Sequence, residues 1–241
     1  MTTRQHNRGP HPADASLFCR DQWPVLQQAV DHLSWLLTRG YAPASSLKLV
    51  GDRFSLVARQ RTAVLRSSCA DAARRQRTRK ALAVDQLANR NLEVDALNLL
   101  ITLESALSGG VVLHARDGTY RDMASIHGSY RRVDQTVAAI QLAGDFFHRR
   151  HVDSVLWRID RPVSNSGRLR SMLAQQASDS GWNWETTLDD DPDRVLGSQY
   201  ELVVTADAPV LDRVRQWANA ARWIIDEQVA QAWIVPLELE E

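Results

Sequence analysis

Leu26, Val30, Leu33 and Leu37 recur at a 3.6-residue period and are followed by Gly40, so 21–40 reads as an amphipathic helix with a stop. Residues 43–68 read as a short helix, a turn at Gly51 and a second helix from about Asp52. Helix, glycine turn and basic second helix share the outline of a helix-turn-helix, as do many ordinary packed pairs. A third helix, basic at its front, spans 70–90. From residue 91 the rhythm changes to strand, helix, strand. "LEV" leads to Asp95 and a helix through "LNLLITLESAL" that stops at Gly109-Gly110. Asp117-Gly118 marks a tight turn, and a small hairpin is expected over 111–122. Further on come a helix (133–150), a strand (153–160), a loop "RPVSNSG" and a helix "RLRSMLAQQAS". An acidic loop (189–193), a strand (200–207), a mostly helical stretch (208–228) and a last strand (232–237) complete the pattern. Alternating β and α elements predict an α/β fold. Its mostly parallel sheet, with helices on both faces, should occupy 89–241. A small basic all-helical domain (19–88) and a disordered tail (1–18) should precede it.

Composition adds little to this outline, but charge does. The 241 residues suffice for one large domain or two modest ones, and no stretch is apolar enough for a membrane span. The N-terminus has no apolar signal core, and Cys19 and Cys69 are too few for a disulfide framework or a zinc site, which fits a reducing cytoplasm. Net charge is zero, yet residues 1–90 hold 15 Lys and Arg against 6 Asp and Glu, and residues 91–241 hold 14 against 23. Such a split points either to nucleic acid or to two halves that attract each other. Arg74, Arg75, Arg77, Arg79 and Lys80 crowd one short stretch; a solvated helix face and a phosphate-facing surface are both open to it.

Three apolar runs end in aspartate, at Asp95, Asp160 and Asp207, each with a helix to follow. Parallel strands joined by right-handed crossovers end on one edge of the sheet, so the three carboxylates can meet in one crevice. Each could also cap the next helix. Clustered carboxylates repel unless a cation neutralises them, and a hard divalent ion, Mg2+ or Mn2+, suits an all-oxygen set. Such ions activate water and polarise phosphoryl oxygens.

"VDALNLL", with the later "VVTADAPVLDRV", resembles the PIN-like, NYN-type nuclease fold, which places an Asp after its first strand and Thr-x-Asp after a late one. Over roughly 20–240 the chain also resembles a prokaryotic family of unknown function numbered 434, with a PIN-like C-terminal part. "RGY", "LVGDRF", "RQR", "DGTYRD" and "PVSNSG" look like its recurring blocks. The resemblance implies metal-binding roles for Asp95 and Asp207, with Asp160 at the adjacent strand end and Glu104 or Asp122 as a further acidic position. Asp160 with its serine-rich loop departs from the common small PIN domains.

Beside these lie possible substrate contacts. Ser164, Asn165 and Ser166 precede a helix, where hydroxyls and backbone N–H groups suit a phosphate; a plain capped turn is the alternative. Asp122, His127, Tyr130 and Arg131 mix acid, imidazole and cation. Trp182 and Trp184 are either core or a base-stacking platform. A receiver domain or haloacid-type phosphatase would need a late lysine, but Lys48 and Lys80 both precede the sheet, and the second phosphatase aspartate is replaced by Leu97. The expected activity is metal-dependent phosphodiester hydrolysis with water as nucleophile, on RNA ahead of DNA, with Arg74, Arg75, Arg77, Arg79 and Arg131 among the substrate contacts. A non-catalytic nucleic-acid-binding or scaffold protein of the same fold is the alternative, and oligomerisation stays open.

Overall fold

The computed structural model describes residues 8–124, 134–199 and 202–238. Its first part holds α1 (Asp14–Leu17), α2 (Trp23–Thr38), α3 (Pro43–Arg53), α4 (Ala58–Ser67) and α5 (Asp71–Lys80). Next come β1 (Asn91–Asp95), α6 (Ala96–Leu107), β2 (Val111–His114), β3 (Tyr120–Asp122) and α7 (Thr136–Arg149). They are followed by β4 (Ser154–Asp160), α8 (Ser166–Ser180), β5 (Trp184–Asp189), α9 (Pro192–Gln199) and β6 (Leu202–Val204). The last elements are α10 (Ala208–Arg213), β7 (Gln216–Ala218), α11 (Ala220–Gln228) and β8 (Trp233–Pro236).

Five strands form an all-parallel sheet in the order β5-β4-β1-β6-β7. The chain builds outward from β1 through β4 to β5, then returns to the other side of β1 with β6 and β7. The winding therefore reverses between β1 and β6, and a crevice is expected there, beyond the strand C-termini. Leu92, Val94, Val155, Trp157 and Ile159 face one core layer with α6, α7, α8 and α11. On the other face Val203 and Trp217 pack with Leu196 of α9 and Val210 and Leu211 of α10. Helix α6 buries ten of its twelve residues, which identifies it as the central helix of the molecule rather than a surface one.

A second, three-stranded sheet, β3-β2-β8, changes the expected division of the chain. The hairpin β2–β3 is antiparallel, turning through Asp117-Gly118 with Gly118 at φ 78°, and β8 joins β2 in parallel from the far end of the chain. Phe18, Leu26, Val30, Leu33, Ala63 and Val64 of the helical part share one core with Val111, Leu113, Val235 and Leu237. The helices thus bury their apolar stripes against strands contributed by the other half, and they do not form a core of their own. Nor are residues 8–18 a loose tail: Phe18 is fully buried, Asp14 pairs with Arg59, and Arg8 pairs with Glu104.

Other boundaries also moved. Gly51 lies inside α3, where the Arg61 guanidinium sits close enough that a Cβ would be 2.4 Å from it; the turn follows, with Ser55 at φ 51°. The helix expected over 70–90 ends at Lys80, because Leu82 N–H instead donates to the Trp217 carbonyl at the sheet edge (2.8 Å). The stretch 208–228 is broken by β7, a three-residue strand whose pairing with β6 overrides its local preference. Trp184 lies on β5, and Trp182 packs where Gly144 of α7 has no Cβ (a Cβ would lie 2.1 Å from the indole), so neither forms an open stacking platform. Among the described residues no helix is long and apolar enough to cross a membrane.

Candidate active site at the carboxyl edge of the parallel sheet

Strands β1 and β6 run side by side, and their ends are knotted by short polar bonds. Asp95, 5% exposed, accepts from the Asn98 N–H as the cap of α6 (3.2 Å) and from the Thr205 hydroxyl (3.0 Å). Asn98 in turn accepts from the Ala206 N–H with its side-chain oxygen (2.7 Å). The Asp207 N–H donates to Thr205 Oγ1 (3.0 Å), and the Asp207 carboxylate caps α10 through the Val210 N–H (3.1 Å). Asp95 and Asp207 therefore each cap a helix, and Thr205 Oγ1 bonds to both residues, donating to the Asp95 carboxylate and accepting from the Asp207 N–H. Asp160 ends the neighbouring β4 on the same edge and caps no helix; the N-cap of α8 is Asn165, in the left-handed region at φ 71°.

Burial raises the Asp95 carboxyl to about 8; Asp193 and Asp207 add repulsion, while the bonds from Asn98 and Thr205 oppose it. Asp193, in the first turn of α9, is pushed up to about 6 by partial burial and by Asp207, Asp160 and Asp191, with Arg213 pulling the other way. It stands exposed at the rim, where solvent screens part of that effect. Burial, then Asp191 and Asp189, raise Asp160. Asp193 is thus the fourth carboxylate of the edge. The acidic stretch 189–193, expected to be a solvated loop, instead ends β5 and opens α9, which crosses over β1 and β4. No spacing rule pointed to it, because only the crossing of α9 brings it back over the strand ends.

The remaining candidates lie elsewhere. Glu104 is fully buried in the third turn of α6, bound to Arg8 and accepting from Thr136 Oγ1 (2.6 Å), so it is a packing residue away from the edge. Asp122 is buried in the second sheet, accepting from Thr102 (3.3 Å) and from the Ala124 N–H (2.7 Å), with Arg66 at 3.7 Å. Ser164 and Asn165 are exposed in the loop after Asp160, whereas Ser166 is buried and donates to the Arg161 carbonyl (3.3 Å). His127, Tyr130 and Arg131 fall outside the described residues. Arg77 is 3% exposed and cannot face a phosphate: it donates to Asp117 (2.7 Å) and to Asp212 (2.7 and 2.9 Å). Arg75 and Arg79 are exposed on the same helix, and Arg74 is half-buried.

Arg77 leads to a hub that supports the edge from behind. Asp117 accepts from Arg77, Arg121 and Thr119, each at 2.7 Å. Arg121 also donates to the Ala206 carbonyl (2.8 Å) and to the Arg66 carbonyl (2.7 Å). Ala206 is therefore pinned at its N–H by Asn98 and at its carbonyl by Arg121, which fixes the turn that carries Asp207. A separate polar cavity of about 470 Å³ opens near Arg90, Glu93, Ser154 and Glu185, at the opposite end of the strands from these carboxylates.

The carboxylates offer only oxygen donors, which suits a hard dication. Among the described residues no three His, Cys, Asp or Glu side chains close around one point. A fully dehydrated cage is therefore not present, whereas an ion that keeps much of its water and takes one or two carboxylates fits the set.

Comparison with known proteins divides the chain at the start of the parallel sheet. The family model described as Domain of unknown function (DUF5616) matches residues 84–223, more than half of the chain. A second model, Protein of unknown function (DUF434), matches residues 25–80, a much shorter stretch than the 20–240 over which that resemblance was expected. Uncharacterized protein MJ0935 of Methanocaldococcus jannaschii is 23% identical over 186 residues, covering 77% of this chain and 88% of that protein. No solved structure matches.

Proposed function

We propose that this chain, which belongs to the DUF5616 family, is a metal-dependent nuclease that hydrolyses phosphodiester bonds, RNA ahead of DNA, at the carboxyl edge of its parallel sheet. One observation carries the reading: a buried aspartate, Asp95, stands with Asp193 and Asp207 near it at the reversal of strand order, and burial together with these like charges raises it to about 8. A protein that needed only a helix cap there would gain nothing from adding like charges around it. The likeness of "VDALNLL" and "VVTADAPVLDRV" to the PIN-like, NYN-type nucleases supports the same assignment.

Asp95 and Asp207 would hold Mg2+ or Mn2+, with Asp193 and Asp160 at the rim. Such an ion, when bound, would supply an activated water and charge neutralisation at the phosphoryl oxygens. The chain's own part is orientation. Thr205 and the Asn98 N–H hold the Asp95 carboxylate in one rotamer, and the N–H groups of α10 hold Asp207. Exposed Ser164 and Asn165 stand beside Asp160 as donors for a substrate phosphate.

The test is cleavage of a single-stranded RNA by the full-length protein with Mg2+ or Mn2+. Activity is expected in the wild type and lost in Asp95→Asn and in Asp207→Asn, each of which keeps its cap. A second reading, a nucleic-acid-binding scaffold that has kept the fold, is favoured by the absence of a three-ligand cluster among the described residues. A wild type that binds RNA but never cuts it with either ion would decide for the scaffold.

A further inference from the structure

The arginine run of α5 is divided by packing into two faces with different fates. At 100° per residue, Gln76, Arg77 and Lys80 turn toward α10, where all three bond to Asp212. Arg74, Arg75, Thr78 and Arg79 turn the other way and, with Asp71 and Arg116 of the β2–β3 turn, line an open cavity of about 600 Å³. Four guanidinium groups there face one carboxylate. That carboxylate is engaged: Arg116 donates to Asp71 (2.7 Å) and to the Cys69 carbonyl (2.9 Å), which fixes the Arg116 fork at the cavity wall. Among the described residues Arg75 and Arg79 close no salt bridge; the nearest carboxylate, Asp71, feels the charge of Arg75 but is bonded to Arg116.

We propose that this cavity is a phosphate-backbone anchor for nucleic acid, with Arg75 and Arg79 as its contacts and Arg116 as its fixed wall. The nuclease reading is used only to name the polyanion. Guanidinium forks match phosphate oxygens in pairs, and Arg75 and Arg79 stand four residues apart, about 6 Å along the helix, which suits neighbouring phosphates of one strand. Among the described residues no aromatic or apolar side chain lines the cavity, so none is there to stack on a base; recognition is of the backbone and independent of sequence. The anchor opens on the face of α5 turned away from α10, while Asp207 caps α10 itself. Helix α5 itself, about 10 Å across, lies between the anchor and α10, so the anchor is not part of the carboxylate edge. The anchor holds a flank of the strand, not the residues at the edge.

The test is fluorescence anisotropy of a labelled oligouridylate with the full-length protein in EDTA, over a salt series. Arg75→Glu with Arg79→Glu should weaken binding about tenfold at low salt and flatten the log–log salt slope by about 1.4, at about 0.7 per single-strand contact. Arg75→Lys with Arg79→Lys should keep the slope. Wild-type affinity and slope in the glutamate variant would overturn the proposal. So would displacement of the RNA by polyglutamate at equal charge concentration, which would mark an acidic protein as the partner. If the glutamate variant does not fold, photocrosslinking of wild type should place RNA on 71–80 or on Arg116, and crosslinks confined elsewhere would refute the anchor. Because binding is read without metal, a protein that never cleaves leaves the anchor standing. One that cleaves short RNA without this binding removes the anchor alone.

Discussion

Asp95 and Asp117 are both buried aspartates, each at a chain reversal, and burial pushes both carboxyls up. Their neighbours differ in sign. Around Asp117 the guanidinium groups of Arg121 and Arg77 and the Thr119 hydroxyl outweigh burial and hold the carboxyl well below its usual range. Around Asp95 stand Asp193 and Asp207, and the carboxyl rises to about 8. The same desolvation is thus outweighed by opposite charges in one place and reinforced by like charges in the other. Perturbed groups of the second kind concentrate at functional sites, whereas paired ones belong to structure.

The largest effect should come from the satisfied side. Asp117→Ala leaves buried Arg121 without its carboxylate and Arg77 with Asp212 alone, a change that costs about 3–5 kcal/mol. For a chain of this size, at roughly 2–4 °C per kcal/mol, the melting temperature should fall by about 6–20 °C. A loss under about 1 kcal/mol in a denaturant or thermal melt would mean that the hub is not what joins the helices to the Thr205–Asp207 turn.

Asp95→Asn should act in the opposite direction. The asparagine can still cap α6 and accept from Thr205, but it carries no charge. A carboxyl raised in the fold contributes stability that is fully present below its unfolded value near 4 and lost as pH rises through about 8. Above pH 8 and without metal, the variant should therefore be more stable than wild type by about 2 kcal/mol or more, at about 1.36 kcal/mol per pKa unit. In the wild type, stabilisation by Mn2+ should grow between pH 6 and 8, as protons leave Asp193 and then Asp95, and it should vanish in the variant. Asp117 has the reverse sign: its contribution is present above about pH 4 and is lost on acidification below that. A single melting-temperature profile against pH in EDTA should show both slopes; destabilisation by Asp95→Asn at pH 8 would erase the contrast.

Asp193→Asn is the smallest of the three. Its side chain is at the solvent-exposed rim, so removing its charge should raise the metal-free melting temperature by only about 1–2 °C, in the range of exposed charge interactions. It should also lower the pH at which Mn2+ begins to stabilise the protein. An unchanged pH midpoint would show that α9 does not bring Asp193 near enough to Asp95 to matter.

Local pattern and strand order made part of this site legible. Asp95 and Asp160 end β1 and β4, whereas β6 stops at Val204 and Asp207 follows three residues later as the cap of α10; the three strands are parallel and adjacent, so their shared edge followed from the alternation of elements alone. Glu104 and Asp122 were misplaced because a buried carboxylate bound to Arg8 or Thr102 looks, in one dimension, the same as one awaiting a ligand. Strand β5 and helix α9 escaped notice because "WETTLD" and "DDDPD" have no clean period, and their places are set by pairing with β4 and packing on β1.

By itself, then, the sequence determined the amphipathic helices, the Asp117-Gly118 hairpin, the parallel strands and the aspartates at or just beyond the ends of β1, β4 and β6. Those features depend on contacts within a few residues: side-chain periodicity, cap bonds and the φ > 0 that a glycine allows. What each charge does was decided only by the tertiary structure. Arg75 and Arg77 are two residues apart in one run, yet α10 turned Arg77 into a buried partner of Asp117 and Asp212 and left Arg75 at an open cavity. Asp193 gained importance only when α9 folded back across the sheet. The energy of a charge is set by its burial and by the sign of the groups within a few ångströms, and those neighbours come from distant parts of the chain.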